Sequence, residues 1–376
     1  MGRENLKEYI STTLPAMEIG PLQNPFLKKE EYNVYYSDIK DTDGVINTWK
    51  NASGVDETKI VSIDYVIKKT YLDAVGEKRF GAVFSSHVIE HTFDIITHLK
   101  EISEILETEG RYVLCIPDKR FTFDYFREVT PFRDAYDVYL NGDEALKRLV
   151  LDWTLNNVAD WHVSVDGYLN HSLSFNEIAV NSIRVSDAIK NIENIEYVKM
   201  GFHYWVFTFI SFLALLRDCL RLNLLPYTLE YAGGTILGGN EFYIVLKKNA
   251  EIQSDIKLRN TEIQKINNLI ENPQGKKQLL EFIDNYKYIY IYGINMKARY
   301  LLEKFGSMKE KIKGIIVSDG FEKEDIDLPI YNLSEVELNL DIGIILTMSS
   351  ENSRNQVKSE LLKQGFSNIF QPLYFD

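Results

Sequence analysis

The feature that most constrains the fold is an alternation, in the first part of the chain, between short apolar runs and helical or turn-rich segments. The apolar runs cover residues 16–20, 33–38, 60–64, 81–85 and 111–117, and a late one covers residues 240–248. Short apolar runs separated by helical patterns are typical of parallel strands joined by crossover helices. The pattern therefore predicts an α/β fold with a mostly parallel sheet and helices on both faces.

The clearest helix of this unit is predicted over residues 94–106. Its apolar positions recur at helical spacing and form one face, made of Ile95, Ile96, Leu99, Ile102, Ile105 and Leu106. Asp94 places a negative charge at the start of the helix, where the helix dipole favours it. His98 is assigned to the polar side, so we expect its ring to be solvated.

The chain has 376 residues, which is too long for one ordinary core. We predict a first domain over residues 1–249, with an aromatic-rich insertion over about residues 120–199. A helical linker is predicted over residues 250–277, and a second, smaller Rossmann-like α/β domain over residues 278–376. The insertion is expected to lie over the carboxyl edge of the first sheet, where long insertions shape substrate pockets.

The second domain opens with "YIYIYGINMKARYLLEKF", a predicted strand, turn and helix. Gly293 matches the first glycine of a dinucleotide fingerprint, but Asn295 and Ala298 stand at the second and third glycine positions. Asp319 follows the next strand, where such folds place a ribose-binding acid. The domain is interpreted as a docking or oligomerisation module, and nucleotide binding is the alternative.

Charge and cysteine content exclude several classes of protein. The formal net charge is −13, and no block of Lys and Arg suggests a nucleic-acid face or a contact with anionic lipid. The most apolar stretch, residues 204–216, is too short to span a bilayer. Cys115 and Cys219 form no CxxC pair, so we expect two reduced thiols. The first residues lack the apolar core of a signal peptide, and we therefore expect a cytoplasmic protein.

Three acidic residues follow or end successive predicted strands. Glu18 precedes Gly20 in a turn that also contains Pro21, and glycine lets a backbone approach a ligand closely. Asp38 ends the second run, where an acid can accept hydrogen bonds from ribose hydroxyls, and Asp64 ends the third. Ligands of open α/β sheets bind at this carboxyl edge, so the sequence predicts a nucleotide-like cofactor site there.

Several motifs together resemble the class I S-adenosylmethionine-dependent methyltransferases. They are "EIGP", "SSHVIEH" and "IPDKRFTFDYFR", and the resemblance is greatest to a bacterial subgroup associated with surface-polysaccharide enzymes. It implies a Rossmann-like domain with a seven-stranded, mostly parallel sheet that binds S-adenosyl-L-methionine. The cofactor-binding residues so assigned are Glu18, Gly20, Pro21, Asp38, Asp64, Tyr65, Ser85, Ser86 and His87. The first motif departs from the family, because Leu22 and Asn24 stand where later glycines are expected.

A histidine cluster follows the fourth predicted strand. His87, Glu90 and His91 form an H-x-x-E-H pattern, and positions three or four apart share one face of a helical turn. His87 suits a general base because the intrinsic pKa of histidine is near neutral. Glu90 and His91 are assigned to a local structural role beneath the cofactor. A divalent metal is the alternative, and its further ligand would be His162, His171 or His203.

The insertion adds further candidates. Asp118, Lys119 and Arg120 leave the fifth strand at the pocket edge, where the two cations could meet a phosphate. A polar and aromatic group suited to sugar rings follows, made of Asp160, Trp161, His162, Asp166 and His171. The alternative is that these residues hold the insertion on the sheet. The catalytic candidates are His87, His91, His162 and His171, and the favoured assignment has no metal.

The resemblance predicts a methyltransferase that acts on a small molecule or glycan precursor, by O-methylation in capsule or lipopolysaccharide synthesis. One alternative is a non-catalytic methyltransferase-like scaffold in a glycan-synthesis complex, and another is a metal-dependent methyltransferase. We expect no nucleic-acid partner and no membrane insertion. A second copy of the chain or a partner enzyme would bind through the C-terminal domain.

Overall fold

The computed structural model describes residues 2–158, 190, 192–193, 202–272, 274–305, 310–320, 328–337, 341–348 and 350–374. Seven strands form the first sheet: β1 Ala16–Ile19, β2 Val34–Asp38, β3 Tyr65–Val66, β4 Phe80–Ser86, β5 Leu106–Pro117, β6 Tyr227–Gly233 and β7 Glu241–Lys248. Their order is β3-β2-β1-β4-β5-β7-β6. Strands β1 to β5 pair in parallel, whereas β7 runs antiparallel to both β5 and β6. The predicted seven-stranded, mostly parallel sheet is confirmed.

Two strands differ from the sequence prediction. The apolar run over residues 60–64 is not a strand, because the Val61 amide donates to the Leu22 carbonyl and the Ile63 amide to the Thr42 hydroxyl instead of to a neighbouring strand. The third strand is the two-residue β3 that follows this run. Strand β6 was not predicted, and its pairing with β7 shifts register between Leu229 and Tyr231.

The helices and the two faces of the sheet enclose separate apolar clusters. The helices around the first sheet are Thr42–Trp49, Tyr71–Val75, Ile95–Ile105, Phe132–Asn141, Asp143–Asn156, Phe209–Arg221, Glu251–Ser254 and Ile256–Glu271. Side chains alternate between faces along a strand. Met17 and Ile19 therefore face one cluster, and Ala16 faces the other beside Phe26 and Leu27.

The predicted helix over residues 94–106 is confirmed as Ile95–Ile105. Its start is fixed by the Asp94 side chain, which accepts the amides of Ile96 and Thr97 at 3.0 Å. The prediction that His98 is solvated is wrong, because only 6% of its surface is exposed. His98 lies one turn after Ile95 and therefore shares the inner face of the helix.

The helix Ile256–Glu271 is part of the first core. Ile252 and Ile266 are buried in the same cluster as the helix Phe209–Arg221. The domain limits at residues 249 and 278 stay predictions. No helix in the described ranges combines the length and the apolarity needed to cross a membrane.

A second sheet is built from the last hundred residues. Its strands are β8 Tyr288–Tyr292, β9 Ile312–Val317, β10 Ile330–Asn332, β11 Ile342–Leu346 and β12 Ile369–Phe370, with the helices Gln274–Asp284, Met296–Phe305 and Glu351–Lys363. The five strands are all parallel, in the order β10-β9-β8-β11-β12. The predicted second, smaller α/β unit is confirmed.

The end of the described chain returns to the first unit. Leu373 forms an isolated bridge with Ile236, and the Tyr374 amide donates to the Thr235 carbonyl at 2.9 Å. The Tyr374 ring stacks on Phe121 with 4.1 Å between centroids. The C-terminal segment thus joins the second sheet to the carboxyl end of β5.

Candidate functional site

The site lies where the order of the first sheet reverses. The chain proceeds outward from β1 to β2 and β3 on one side, and from β4 to β5 on the other. In open α/β sheets the crevice outside the carboxyl ends of the strands at such a switch point binds ligands. The residues that follow β1 and β4, and the last residue of β2, are therefore the candidates for a ligand site.

The turn after β1 begins at Gly20, whose φ is +64°. This left-handed conformation favours glycine, and a Cβ here would meet Val88 at 3.4 Å. Glu18, predicted to contact a cofactor, is buried and accepts the amides of Phe26 at 2.9 Å and Leu27 at 2.8 Å. Burial raises the pKa of Glu18 to about 7 in spite of those two bonds. Its carboxylate therefore holds the loop that contains the buried Pro21.

Leu22 also has a left-handed backbone, with a φ of +50°. This conformation costs a non-glycine residue about 1–2 kcal/mol. The turn thus keeps a conformation suited to glycine at the position where the sequence departs from the resembled motif. The Leu22 carbonyl accepts the Val61 amide at 3.0 Å, which holds the strained residue in place.

The predicted acids at the ends of β2 and β3 have different surroundings. Asp38 is the last residue of β2, is partly exposed and accepts the Lys40 amide at 3.1 Å, while burial raises its pKa. Asp64 precedes β3 and lies beside Tyr36, whose amide donates to it at 2.8 Å, while Lys29 pairs with it at 2.7 Å. The structure therefore places Asp38, but not Asp64, at the carboxyl edge. Tyr65 packs against the rings of Tyr35 and Phe80.

Ser85 and Ser86 end β4 with different environments. The buried Ser85 hydroxyl lies 2.9 Å from the Tyr112 hydroxyl, which lies 2.8 Å from His98 Nε2. Ser85 thus belongs to a buried polar chain under the sheet, whereas Ser86 is partly exposed at the strand end. Burial lowers the pKa of His98 to about 4, so its ring is neutral.

His87 is the first residue after β4 and has a φ of +53°. Its Nε2 donates to Glu241 at 3.0 Å, and its side chain remains 36% exposed. Burial opposes protonation of the ring, but the bond to Glu241 and the charge of Glu90 outweigh burial and raise the pKa of His87. A left-handed backbone at a bulky residue is strained, and such strain clusters at functional sites.

Sequence reasoning missed the partners of His87. Glu241 is the first residue of β7, opposite Pro117, and lies 3.7 Å from Arg3 Nη1. Burial alone would raise the pKa of Glu241, yet the bond from His87 and the charge of Arg3 lower it. A carboxylate directly before the apolar run "FYIVL" was a signal for Glu241, while nothing in the sequence pointed to Arg3.

Glu90, His91 and His203 form a compact group beside His87. Their ligating atoms lie within 4.8 Å of one another, and the Glu90 side chain is 0% exposed. The His91 and His203 rings meet edge to face with 4.5 Å between centroids. Burial lowers the pKa of His91. The backbone joins these residues as well, because the Tyr204 amide donates to the Glu90 carbonyl at 2.8 Å.

A buried ion pair holds His203 in this group. His203 Nδ1 lies 2.5 Å from Asp124, and Arg127 donates to Asp124 at 2.8 Å and to the His203 carbonyl at 2.6 Å. Arg127 is only 1% exposed and also pairs with Asp152 at 2.7 Å. Burial raises the pKa of Asp124, but the bond from His203 outweighs it and leaves the pKa lowered. Asp124 and Arg127 both stand in "FTFDYFR", but the sequence alone suggested no role for them.

The charged residues that follow β5 are bound by other groups of the protein. Arg120 binds both oxygens of buried Asp118, which also accepts the Thr235 hydroxyl at 2.7 Å. Lys119 donates to the Tyr125 carbonyl at 2.7 Å. These contacts join the start of the insertion to the residues that directly follow β5. His162 and His171 lie outside the described residues, as do the other three members of the polar and aromatic group, Asp160, Trp161 and Asp166.

Comparison with known proteins gives no family assignment. No family model matches the chain, and no curated protein matches it. Among solved structures, CcbJ methyltransferase from Streptomyces caelestis is 15% identical with a TM-score of 0.23, and the match covers 32% of this chain and 52% of CcbJ. A SAM-dependent methyltransferase from Methanosarcina mazei is 13% identical with a TM-score of 0.33, over 65% of this chain and 97% of that one.

A hemolysin candidate from Lactococcus lactis is similar to the same extent. It is 16% identical with a TM-score of 0.30, over 70% of this chain and 92% of that one. This chain thus spans about half the length of CcbJ and nearly all of the other two. At these TM-scores the likenesses support no assignment of function.

Proposed function

We propose that this chain is an S-adenosylmethionine-dependent methyltransferase that methylates an oxygen of a small molecule or glycan precursor in surface-polysaccharide synthesis. The observation that carries the proposal is the arrangement at the switch point of the first sheet. There Gly20, Asp38 and His87 stand at the carboxyl ends of three adjacent strands, β1, β2 and β4. The motifs around Gly20 and His87 are those that carry the sequence resemblance, and the glycan class of the acceptor rests on that resemblance.

The residues at this edge fit the proposed cofactor. The left-handed Gly20 has no side chain at the first position of the turn after β1, so that the backbone can approach a ligand there. Asp38 offers a partly exposed carboxylate at the neighbouring strand end, suited to accept bonds from two ribose hydroxyls. When bound, S-adenosylmethionine supplies an electrophilic methyl group on a sulfonium.

His87 is the residue placed to accept the proton of the acceptor hydroxyl. Its Nε2–H is held by Glu241, so Nδ1 is the nitrogen that can take a proton. As the acceptor oxygen gains its methyl group, its proton passes to Nδ1, and Glu241 balances the positive charge on the ring. His91, His162 and His171 stay candidates for contacts with the acceptor.

The first experiment is a calorimetric titration of S-adenosylmethionine into the full chain. We expect binding that Asp38→Ala weakens by about 2 kcal/mol or more, because a charge-assisted contact with the ribose is lost. Asp64→Asn is the matched control. Its carboxylate precedes the adjacent strand but is paired with Lys29, so the variant should leave the affinity unchanged.

The outcomes separate the alternatives. Equal weakening by both variants would show that Asp64 also reaches the cofactor. The proposal is overturned if the folded wild-type chain binds no S-adenosylmethionine at about millimolar concentration. That concentration would saturate even a weak site. Absence of binding would favour the non-catalytic scaffold, in which the two units organise partner enzymes.

A further inference from the structure

The carboxylate of Glu90 is fully buried beside three histidine rings. Its side chain is 0% exposed, and neither of its oxygens has a hydrogen-bond partner among the described residues. Burying an ionised carboxylate without compensation is very costly, so buried charges are paired or bind metal ions. The nearest polar atoms therefore decide what balances the charge.

Three imidazole nitrogens surround one oxygen of this carboxylate. His91 Nε2 and His203 Nε2 each lie 3.8 Å from Glu90 Oε1, and His87 Nδ1 lies 3.9 Å from it. These separations are too long for hydrogen bonds. The three rings approach the carboxylate closely but do not donate to it.

In His91 and His203 the ring proton is on Nδ1, the nitrogen that bonds to a group other than Glu90. His91 Nδ1 lies 2.9 Å from the Phe202 carbonyl, which can only accept, so the proton of a neutral ring is on Nδ1. His203 Nδ1 donates in the same way to the Asp124 carboxylate at 2.5 Å. In this tautomer the Nε2 atom of each of the two histidines carries a lone pair, and each lies 3.8 Å from Glu90 Oε1. Lone pairs and a carboxylate that converge in a buried space repel one another unless a cation lies between them.

We propose that Glu90, His91 and His203 bind a divalent transition-metal ion. Metal-bound histidines usually donate their second ring nitrogen to a carboxylate or a backbone carbonyl, and these two rings do so to Asp124 and to the Phe202 carbonyl. Arg127 in turn fixes Asp124 by donating to it at 2.8 Å. The outer contacts that a metal site needs are therefore present around Glu90, His91 and His203.

The distances from the two ring nitrogens to Glu90 Oε1 are slightly longer than those between ligands of a bound metal ion. Metal bonds of about 2.1 Å in a tetrahedral site separate neighbouring ligand atoms by about 3.4 Å. The observed 3.8 Å from each ring nitrogen to Glu90 Oε1 exceeds that separation by about 0.4 Å, and all three ligand atoms lie within 4.8 Å of one another. Rotation of the side chains supplies a movement of that size.

The ligand types select the class of ion. Two imidazoles and one carboxylate suit zinc, iron(II) or cobalt(II), whereas magnesium and calcium prefer sites made only of oxygen. Three protein ligands also leave at least one position open for water or another oxygen. None of the three ligands is among the residues proposed to hold the cofactor, so the test does not depend on cofactor binding.

The experiment is a titration of chelator-treated full chain with Zn²⁺ alone, followed by calorimetry, and with Co²⁺, followed by its visible absorption. We expect one ion per chain and a spectrum of low-coordinate Co²⁺. Glu90→Gln and His203→Gln should each weaken Zn²⁺ binding by at least about 100-fold, and Asp124→Asn by about 10–100-fold. His98→Gln is the matched control, because it changes a buried histidine outside the group and should leave binding unchanged.

Folding is monitored separately for every variant by circular dichroism. Zn²⁺ should raise the melting temperature of the wild type but not that of Glu90→Gln, a difference that a purely structural role of Glu90 would not produce. The proposal is overturned if the folded wild type binds none of these ions. It is also overturned if Glu90→Gln binds Zn²⁺ as tightly as the wild type, and an imidazolium would then be the cation that balances Glu90.

Discussion

The two sheets each contain a switch point, and the two points differ in how their polar groups are satisfied. In the second sheet the point lies between β8 and β11. There Gly293 takes the left-handed conformation, with a φ of +102°. Asn295 donates to the Thr347 carbonyl at 3.1 Å, and its own oxygen accepts the amides of the helix that follows. Asp319 accepts the Ser334 amide and hydroxyl.

At the first switch point, residues other than glycine have a strained backbone, and a buried carboxylate lacks a hydrogen bond among the described residues. Leu22 and His87 are left-handed although neither is glycine, and within the part of the chain that the structure describes no donor bonds to the buried Glu90 carboxylate. Such costs persist only where surrounding structure enforces them, and they concentrate at sites that bind ligands. The difference teaches that similar topology does not imply similar use. It favours a ligand at the first point, while the docking role of the second unit stays a prediction.

The largest effect that tests this comparison is expected at Glu18. Glu18→Ala leaves two amides without an acceptor and should lower the free energy of unfolding by about 4 kcal/mol, at about 2 kcal/mol for each buried donor. Glu18→Gln keeps one acceptor and should cost about half as much. Urea unfolding followed by tryptophan fluorescence measures this, because all four tryptophans precede residue 278.

Asn295→Ala is the matching change in the second unit. It removes a helix cap, which costs about 1 kcal/mol, and circular dichroism reports both units. If Glu18→Ala costs no more than Asn295→Ala, then the loop after β1 does not depend on the carboxylate, and the proposed difference between the two turns is wrong.

Acid should destabilise the first unit selectively. The pKa of His98 is about 4 in the folded chain, below the usual value of histidine, so the unfolded chain binds more protons between those two values. The stabilisation that comes from neutral His98 is therefore complete above the pKa of histidine in the unfolded chain. It is lost as the pH falls from that value toward the folded pKa of about 4. From about pH 7 to about pH 5 the loss due to His98 should be about 2 kcal/mol.

His98→Gln isolates this contribution, since glutamine does not titrate and can still bond to the Tyr112 hydroxyl. The free energy of unfolding of wild type and variant, measured by tryptophan fluorescence at both pH values, should differ less at the lower pH. All six histidines lie within residues 87–203, so no histidine of the second unit can contribute to the loss of stability between these pH values. Parallel pH profiles would mean that His98 is not held neutral by burial.

Most of the fold could be predicted because it depends on local patterns. Apolar runs and helical spacing located β1, β2, β4, β5, β7 and the helix Ile95–Ile105. The third strand was misplaced because apolar content does not reveal where backbone amides donate, and residues 61 and 63 donate to a loop and to a hydroxyl. His98 was misplaced because a polar residue on the inner face looks solvated unless its partner, here Tyr112, is known.

Less of the candidate site could be predicted, because its contacts are long-range. His87 and Glu90 were identified from one motif, but Glu241 lies more than 150 positions along the chain, and His203 is held by Asp124 across 79 positions. Residues this far apart meet only when the sheet order is known. The same limit explains Asp64, whose pairing with Lys29 depends on the register of β3 against β2.

The smallest expected effect concerns Leu22, where the first turn keeps a side chain and the second uses Gly293. At ordinary backbone positions glycine is less stable than alanine by about 0.5–1 kcal/mol. At a φ of +50° the order should reverse, so we expect Leu22→Gly to be more stable than Leu22→Ala by about 1 kcal/mol. Urea unfolding of the two variants measures the difference directly.

The same pair also separates strain from obstruction. If Leu22→Gly binds S-adenosylmethionine more tightly than the wild type does, the leucine side chain hinders the approach of a ligand to the turn. If the affinity is unchanged while the stability order is reversed, the turn already has the shape that its glycine-containing counterparts have, and Leu22 contributes only strain. If alanine is the more stable variant, Leu22 is not left-handed, and the contrast between the two switch points loses one of its supports.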